Sequence, residues 1–234
     1  MNMTEKPLSH CPEAMIFDLD GTLFQTETLL LPAYHAMFEQ LRNEGLFDGD
    51  TPPESHILGA LGMLLDDIFL RVMPESTRAA KHRANELLLH YQLVGLRDKQ
   101  GLLYTGVADT LTALHARGIR LFVASNGLKE YVEQVIHVHG LSHVFEGLFS
   151  AGGYQTKSKV DLVRILLDHH RVSTAWMIGD RSSDVEAGLA NELPVVGCAY
   201  AEFGNPDELL GSTYIIHNFE QLLDILDGTD EQEN

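Results

Sequence analysis

The feature that most constrains the fold is an alternation. Short apolar runs, most of them closing on a polar or glycine residue, are separated by stretches of helical periodicity. Candidate strands fall at 15–19, 120–124, 144–150, 175–178, 195–198 and 214–216. Between them, Val107, Leu111 and Leu114 precede Gly118, and Leu162, Val163, Leu166 and Leu167 precede His169 and His170, each set marking one buried helical face. Strands alternating with helices predict an α/β fold, a Rossmann-like parallel sheet with helices on its faces.

One region breaks the pattern. From 26 to 98 no run reads as a strand, whereas Leu30, Tyr34, Met37, Phe38 and Leu41, then Ala80, Ala84, Leu87, Leu88 and Tyr91, recur at helical spacing. The expectation is an all-helical cap inserted after the first strand, lying over its end as a lid. The division expected is a core of 12–24 and 100–227, a helical cap of 25–99 and a disordered acidic tail of 228–234.

With 16 basic against 34 acidic residues the formal charge is −18, which repels nucleic acid and anionic membranes. A small anionic substrate is still compatible, because a bound cation and local basic groups reverse the sign inside a cleft. No stretch reaches the ~20 apolar residues of a membrane span, and 58–70 is interrupted by Asp66 and Asp67. The N-terminal MNMTEKPLSHCPEA lacks the basic-then-apolar pattern of a secretory signal, so the expected location is cytoplasmic. Cys11 and Cys198 are too few and too far apart for a disulfide framework and are expected as free thiols.

Four segments carry chemistry. In MetIlePheAspLeuAspGlyThrLeu, an apolar strand runs into Asp18 and Asp20, at the strand end where open α/β sheets bind ligands. Side chains two apart on a strand share a face, so both carboxylates are expected to converge, with a hard cation relieving their repulsion. In LeuPheValAlaSerAsnGly, Ser125 and Asn126 open a helix whose N-terminal amides favour phosphate, although an ordinary cap uses the same residues. Lys157 and Lys159 follow Gly152 and Gly153, and Lys159, directly leading the next helix, is the better phosphate-facing candidate. In TrpMetIleGlyAspArgSerSerAsp, a strand ends at Asp180, and Asp184 is placed to orient it or complete a metal's outer shell.

In this order the four segments resemble the haloacid dehalogenase superfamily, specifically the phosphoglycolate phosphatase and β-phosphoglucomutase-like branch with a helical cap between the first and second motifs. The resemblance covers nearly the whole chain. It implies Asp18 as nucleophile, Asp20 as general acid and base, Ser125 with Asn126 and Lys159 as phosphate-binding groups, and Mg²⁺ held at Asp18, Asp20, Asp180 and Asp184, with Asp20 acting through its backbone carbonyl. The implied activity is hydrolysis of a small phosphorylated metabolite through an aspartyl-phosphate. Asp20 argues against dehalogenation, which needs no proton donor for a halide, and Thr22 leans towards hydrolases over mutases. A phosphosugar mutase and a catalytically silent binding protein are the alternatives.

Gln25 stands where relatives with small sugar or acid substrates often carry aspartate. The pairs His137 with His139 and His169 with His170 lack the i, i+4 spacing of a helical metal site, so structural roles are expected. The turn Gly59–Ala60–Leu61–Gly62 lies in the cap and is either a helix–helix turn or a loop dipping towards the site.

Overall fold

A computed structural model describes residues 11–63 and 65–228. The strands are β1 (Ala14–Phe17), β2 (Phe24–Gln25), β3 (Leu102–Leu103), β4 (Arg120–Ser125), β5 (Phe145–Ser150), β6 (Ala175–Gly179), β7 (Val195–Cys198) and β8 (Tyr214–Ile216). The helices are α1 (Glu27–Asn43), α2 (Glu54–Leu58), α3 (Leu65–Val72), α4 (Arg78–Arg97), α5 (Val107–Ala116), α6 (Lys129–Val138), α7 (Ala151–Tyr154), α8 (Lys159–His170), α9 (Ser182–Ala190) and α10 (Gln221–Asp227).

The main sheet has the order β5-β4-β1-β6-β7-β8, and its pairings are parallel. β1 is central because nothing in Ala14–Phe17 needs water. Met15 and Phe17 join one hydrophobic cluster with Leu121, Val123, Trp176 and Ile178, while Ala14 and Ile16 join another with Phe122, Ala124, Ala175 and Met177. The period-2 alternation thus fills a core on each face of the sheet. Since β1, β4 and β6 are adjacent and parallel, the residues following each emerge together at one end.

Helices α1 to α4 have a hydrophobic cluster of their own, in which Tyr34 and Phe38 meet edge to face with ring centroids 5.0 Å apart. They leave and rejoin the core at a ribbon that the periodicity did not reveal, where β2 pairs antiparallel with β3. Two-residue strands are too short to show alternation. The ribbon stands where the chain enters α1 and where it leaves α4. Gln25 has a structural task there, its amide donating to the Leu103 carbonyl at 2.8 Å.

The first strand is shifted from its expected span and ends at Phe17, so Asp18 and Asp20 lie beyond it. Of the expected acidic tail, Gly228 closes α10 in the left-handed conformation, and the remainder, like the first ten residues of the N-terminal segment, lies outside the described residues. Cys11 is exposed, Cys198 is buried, and both are free. Among the described residues no helix is long and apolar enough to cross a membrane.

Candidate active site

Asp18 follows β1 directly, and its backbone N–H extends the ladder to the Ile178 carbonyl at 2.9 Å. Asp180 follows β6, Ser125 ends β4, Lys159 begins α8 and Asp184 lies in the first turn of α9. All five are buried, although ionisable side chains are rarely fully buried unless paired. Here the pairing is partial. Lys159 Nζ donates to Asp18 Oδ1 at 2.7 Å and to Asp184 Oδ1 at 2.6 Å, while Asp184 Oδ2 accepts from the Arg181 N–H at 3.0 Å. Thr22 Oγ1 donates to Asp180 Oδ1 at 3.1 Å. The second Asp180 oxygen, Oδ2, is buried with no hydrogen-bond partner among the described residues, and Arg181 Nε, at 3.8 Å, is too distant to be one.

These contacts explain the electrostatics. Burial raises the Asp180 carboxyl well above its usual range, and the neighbouring Asp18 and Asp184 push it further. Burial also raises Asp184, against the opposing pull of Lys159. For Lys159 burial works against the charge, but Asp18 and Asp184 outweigh it and the ammonium is held more firmly than in water. One ammonium cannot neutralise three carboxylates, and the Arg181 guanidinium is committed to Glu208 at 2.8 Å.

Asp18, Asp180 and Asp184 each present an oxygen within 4.8 Å of the others. Gly21 makes the crowding possible, for at φ +84° a Cβ would lie 2.3 Å from Asp180 Oδ2. An orphaned buried oxygen, excess negative charge and an all-oxygen donor set fit a hard divalent cation.

The carboxylate of Asp20 does not join this triad. Beyond Phe17 the chain no longer continues as strand, so the expected convergence of the two side chains gives way to two separate environments. Asp20 Oδ1 accepts from Thr26 Oγ1 and from the Tyr131 hydroxyl, each at 2.6 Å. Burial first, and Asp18 second, push its carboxyl up to about 6, with the two hydroxyls opposing. Both aspartates line one cavity with Ser125, Asn126 and Gly127. Ser125 Oγ accepts from the Gly127 N–H at 3.1 Å, which leaves its own proton free to donate.

Asn126 is engaged differently from its expected phosphate-binding role. Its amide donates to the carbonyl of Gly62 in the cap at 2.7 Å, and Arg181 Nη2 donates to Leu58 O at 3.1 Å, so the turn between α2 and α3 is tied to the core. Gly62 lines the cavity. Lys157 is exposed, in contrast to Lys159. Of the histidines, His139 packs against Phe24 and bonds the Val135 carbonyl at 2.8 Å, while His170 pairs with Glu146 at 3.0 Å.

The sequence profile described as haloacid dehalogenase-like hydrolase matches residues 15–198. The chain belongs to this family. Among the relatives of this haloacid dehalogenase-like hydrolase, a phosphoglycolate phosphatase of Rhodospirillum rubrum is 30% identical over 225 residues, 92% of this chain and 91% of its own. A pyrophosphatase PpaX of Listeria monocytogenes is 26% identical over 200 residues, 83% of this chain and 86% of its own. The crystal structure of CbbY from Rhodobacter sphaeroides in complex with phosphate shares the fold, with a TM-score of 0.76 at 22% identity, covering 93% of this chain and 100% of that one. The haloacid dehalogenase-like hydrolase described here is a phosphatase.

Sequence reasoning missed Tyr131 and Thr26, the partners of Asp20, and the role of Arg181 at the cap. Tyr131 stands 111 residues from Asp20, on a helix where a tyrosine reads as core packing, and no spacing links the two. Thr26 was closer to hand. A hydroxyl six residues beyond an aspartate gives a signal only once the chain is known to fold back on itself.

Proposed function

We propose that the protein is a Mg²⁺-dependent phosphomonoesterase that cleaves a small phosphorylated metabolite through an aspartyl-phosphate at Asp18. The observation that carries this reading is the division of labour between two carboxyl groups lining one cavity. Asp18 is paired with Lys159, whereas Asp20 is held by the hydroxyls of Thr26 and Tyr131 and burial pushes its carboxyl up to about 6.

Asp18 attacks phosphorus with a carboxylate oxygen, forming an O–P bond as the bond to the leaving oxygen breaks. A carboxylate needs no activating base near neutrality. Asp20, protonated, gives its proton to the leaving oxygen, and a carboxyl group titrating near the working pH suits that exchange. Its carboxylate then takes a proton from water as that water attacks phosphorus, which releases inorganic phosphate and regenerates Asp18. Lys159 fixes the orientation of Asp18 and offsets its charge, while the Ser125 hydroxyl and the amides at the start of α6 receive the phosphoryl oxygens. Asp184 holds Lys159 in turn. Mg²⁺, held by Asp18, Asp180, Asp184 and the Asp20 backbone carbonyl, would offset repulsion between the anionic nucleophile and the anionic ester.

Inorganic phosphate release from p-nitrophenyl phosphate, with and without Mg²⁺, tests the assignment. Asp18→Asn is expected to abolish turnover with the fold intact by circular dichroism. Full turnover in that variant would remove Asp18 as nucleophile. Phosphoglycolate, the ester named for one relative, is the reference metabolite for such assays.

A further inference from the structure

The cavity that receives the phosphate is closed on its far side by the cap, and the cap wall is chemically one-sided. Leu30, Ile57, Leu61, Ile68, Leu88 and Leu89 line it. On α4 the cavity-facing residues are Asn85, Leu88, Leu89 and Gln92, spaced i, i+3, i+4 and i+7, so a single stripe of that helix faces inwards. Asn85 and Gln92 supply the polar side chains of this stripe, and among the described residues neither has a hydrogen-bond partner.

No lysine, arginine or histidine lines the cavity among the described residues. Several cations of the cap are engaged elsewhere, and Arg78, Lys81 and His82 line a separate groove that borders Asn85. Arg42 donates to Gly49 O and Thr51, Arg71 to Gly59 O, Lys81 to Pro74 O, and Arg83 to Glu44. Arg181, at the cap's edge, is held by Glu208 and Leu58 O. On the opposite wall stand the carboxyl groups of Asp18 and Asp20. An ester with an anionic alcohol portion would bury its second charge against hydrocarbon, facing like charge and with no counter-ion.

We propose that the substrate is a phosphomonoester whose leaving alcohol is uncharged, laying hydrocarbon against the leucine-rich cap wall and directing a hydroxyl or carbonyl group to the amides of Asn85 and Gln92. This rests on the phosphatase reading and refines it. The leaving group of phosphoglycolate carries a carboxylate and is disfavoured in this cavity, so the substrate differs in charge class from the ester named for the Rhodospirillum rubrum relative.

The test is a matched pair, phosphoglycolate and its neutral amide phosphoglycolamide, nearly equal in size and different in charge. With wild-type protein and Mg²⁺, kcat/KM for the amide is expected to exceed that for the acid by about ten-fold or more. Gln92→Lys, which adds a cation to the inward stripe, is expected to bring the ratio to about one or below by raising kcat/KM for the acid. A wild-type preference for phosphoglycolate, or equal use of the two, overturns the inference and leaves the phosphatase reading standing. Absence of phosphate release from both esters and from p-nitrophenyl phosphate overturns the phosphatase reading itself.

Discussion

Asp20 is held between opposing influences, and the balance is adjustable one residue at a time. Burial and Asp18 raise its pKa, whereas hydrogen bonds from Thr26 and Tyr131 favour its ionised form. Tyr131→Phe removes one donor to the carboxylate, so the Asp20 pKa rises and the acid stays protonated to higher pH. The alkaline limb of the kcat/KM profile, which reports the protonated acid needed for phosphoryl transfer to Asp18, is expected to move to higher pH. A limb that stays in place, or moves down, would show that Tyr131 only packs. Asp20→Asn removes the proton donor altogether and is expected to lower kcat by about 10²–10⁴.

At the scale of elements, the turn that ends β1 is what brings the strand ends into one site. Gly21, at φ +84°, lies against Asp180, and a methyl group at Cα would stand 2.3 Å from Asp180 Oδ2. Gly21→Ala meets two penalties, about 1–2 kcal/mol for the left-handed backbone and the displacement of a carboxylate offered to the metal. Titration calorimetry with Mg²⁺ is expected to show weakened or absent binding. Unchanged binding would mean that Asp180 does not hold the cation. The same local logic places Lys159. Ser158 caps α8 through the Asp161 N–H at 3.1 Å, and the residue after the cap enters the buried cluster, whereas Lys157, before it, remains exposed.

For the molecule as a whole, the buried carboxylates make stability depend on pH and metal together. Asp20, Asp180 and Asp184 all titrate above their unfolded values, so without metal the folded state binds more protons than the unfolded chain. Their contribution is full below about pH 4, the unfolded value, and is lost as the pH rises through about 6 for Asp20. Divalent cations offset that loss. A cation at 100-fold its Kd adds about 2.7 kcal/mol, and each kcal/mol raises the Tm of a chain this size by roughly 2–4 °C. Asp180→Asn is expected to stabilise the metal-free protein at pH 7 by about 1 kcal/mol or more and to abolish the Mg²⁺-induced rise in Tm. Thermal unfolding with and without Mg²⁺ at pH 5 and 7 checks both, and a variant that keeps the full metal-induced rise would count against the triad.

Much of the architecture was legible because it depends on periodicities that are local. The apolar runs at β1, β4 and β6 and the helical spacing from Leu30 to Leu41 report which faces are buried, whatever the partner. β2 and β3 escaped because two residues carry no period. The same local grammar placed Asp18, Ser125, Lys159 and Asp180 at element ends, where a parallel sheet gathers them. What the sequence could not express is direction in space. That Asp20 turns from the triad to Tyr131 and Thr26, that Asn126 reaches the cap carbonyl of Gly62, and that no lysine, arginine or histidine of the described residues lines the cavity all depend on contacts between distant segments. Side-chain orientation across such contacts follows from packing, and packing exists only once the sheet and cap have come together.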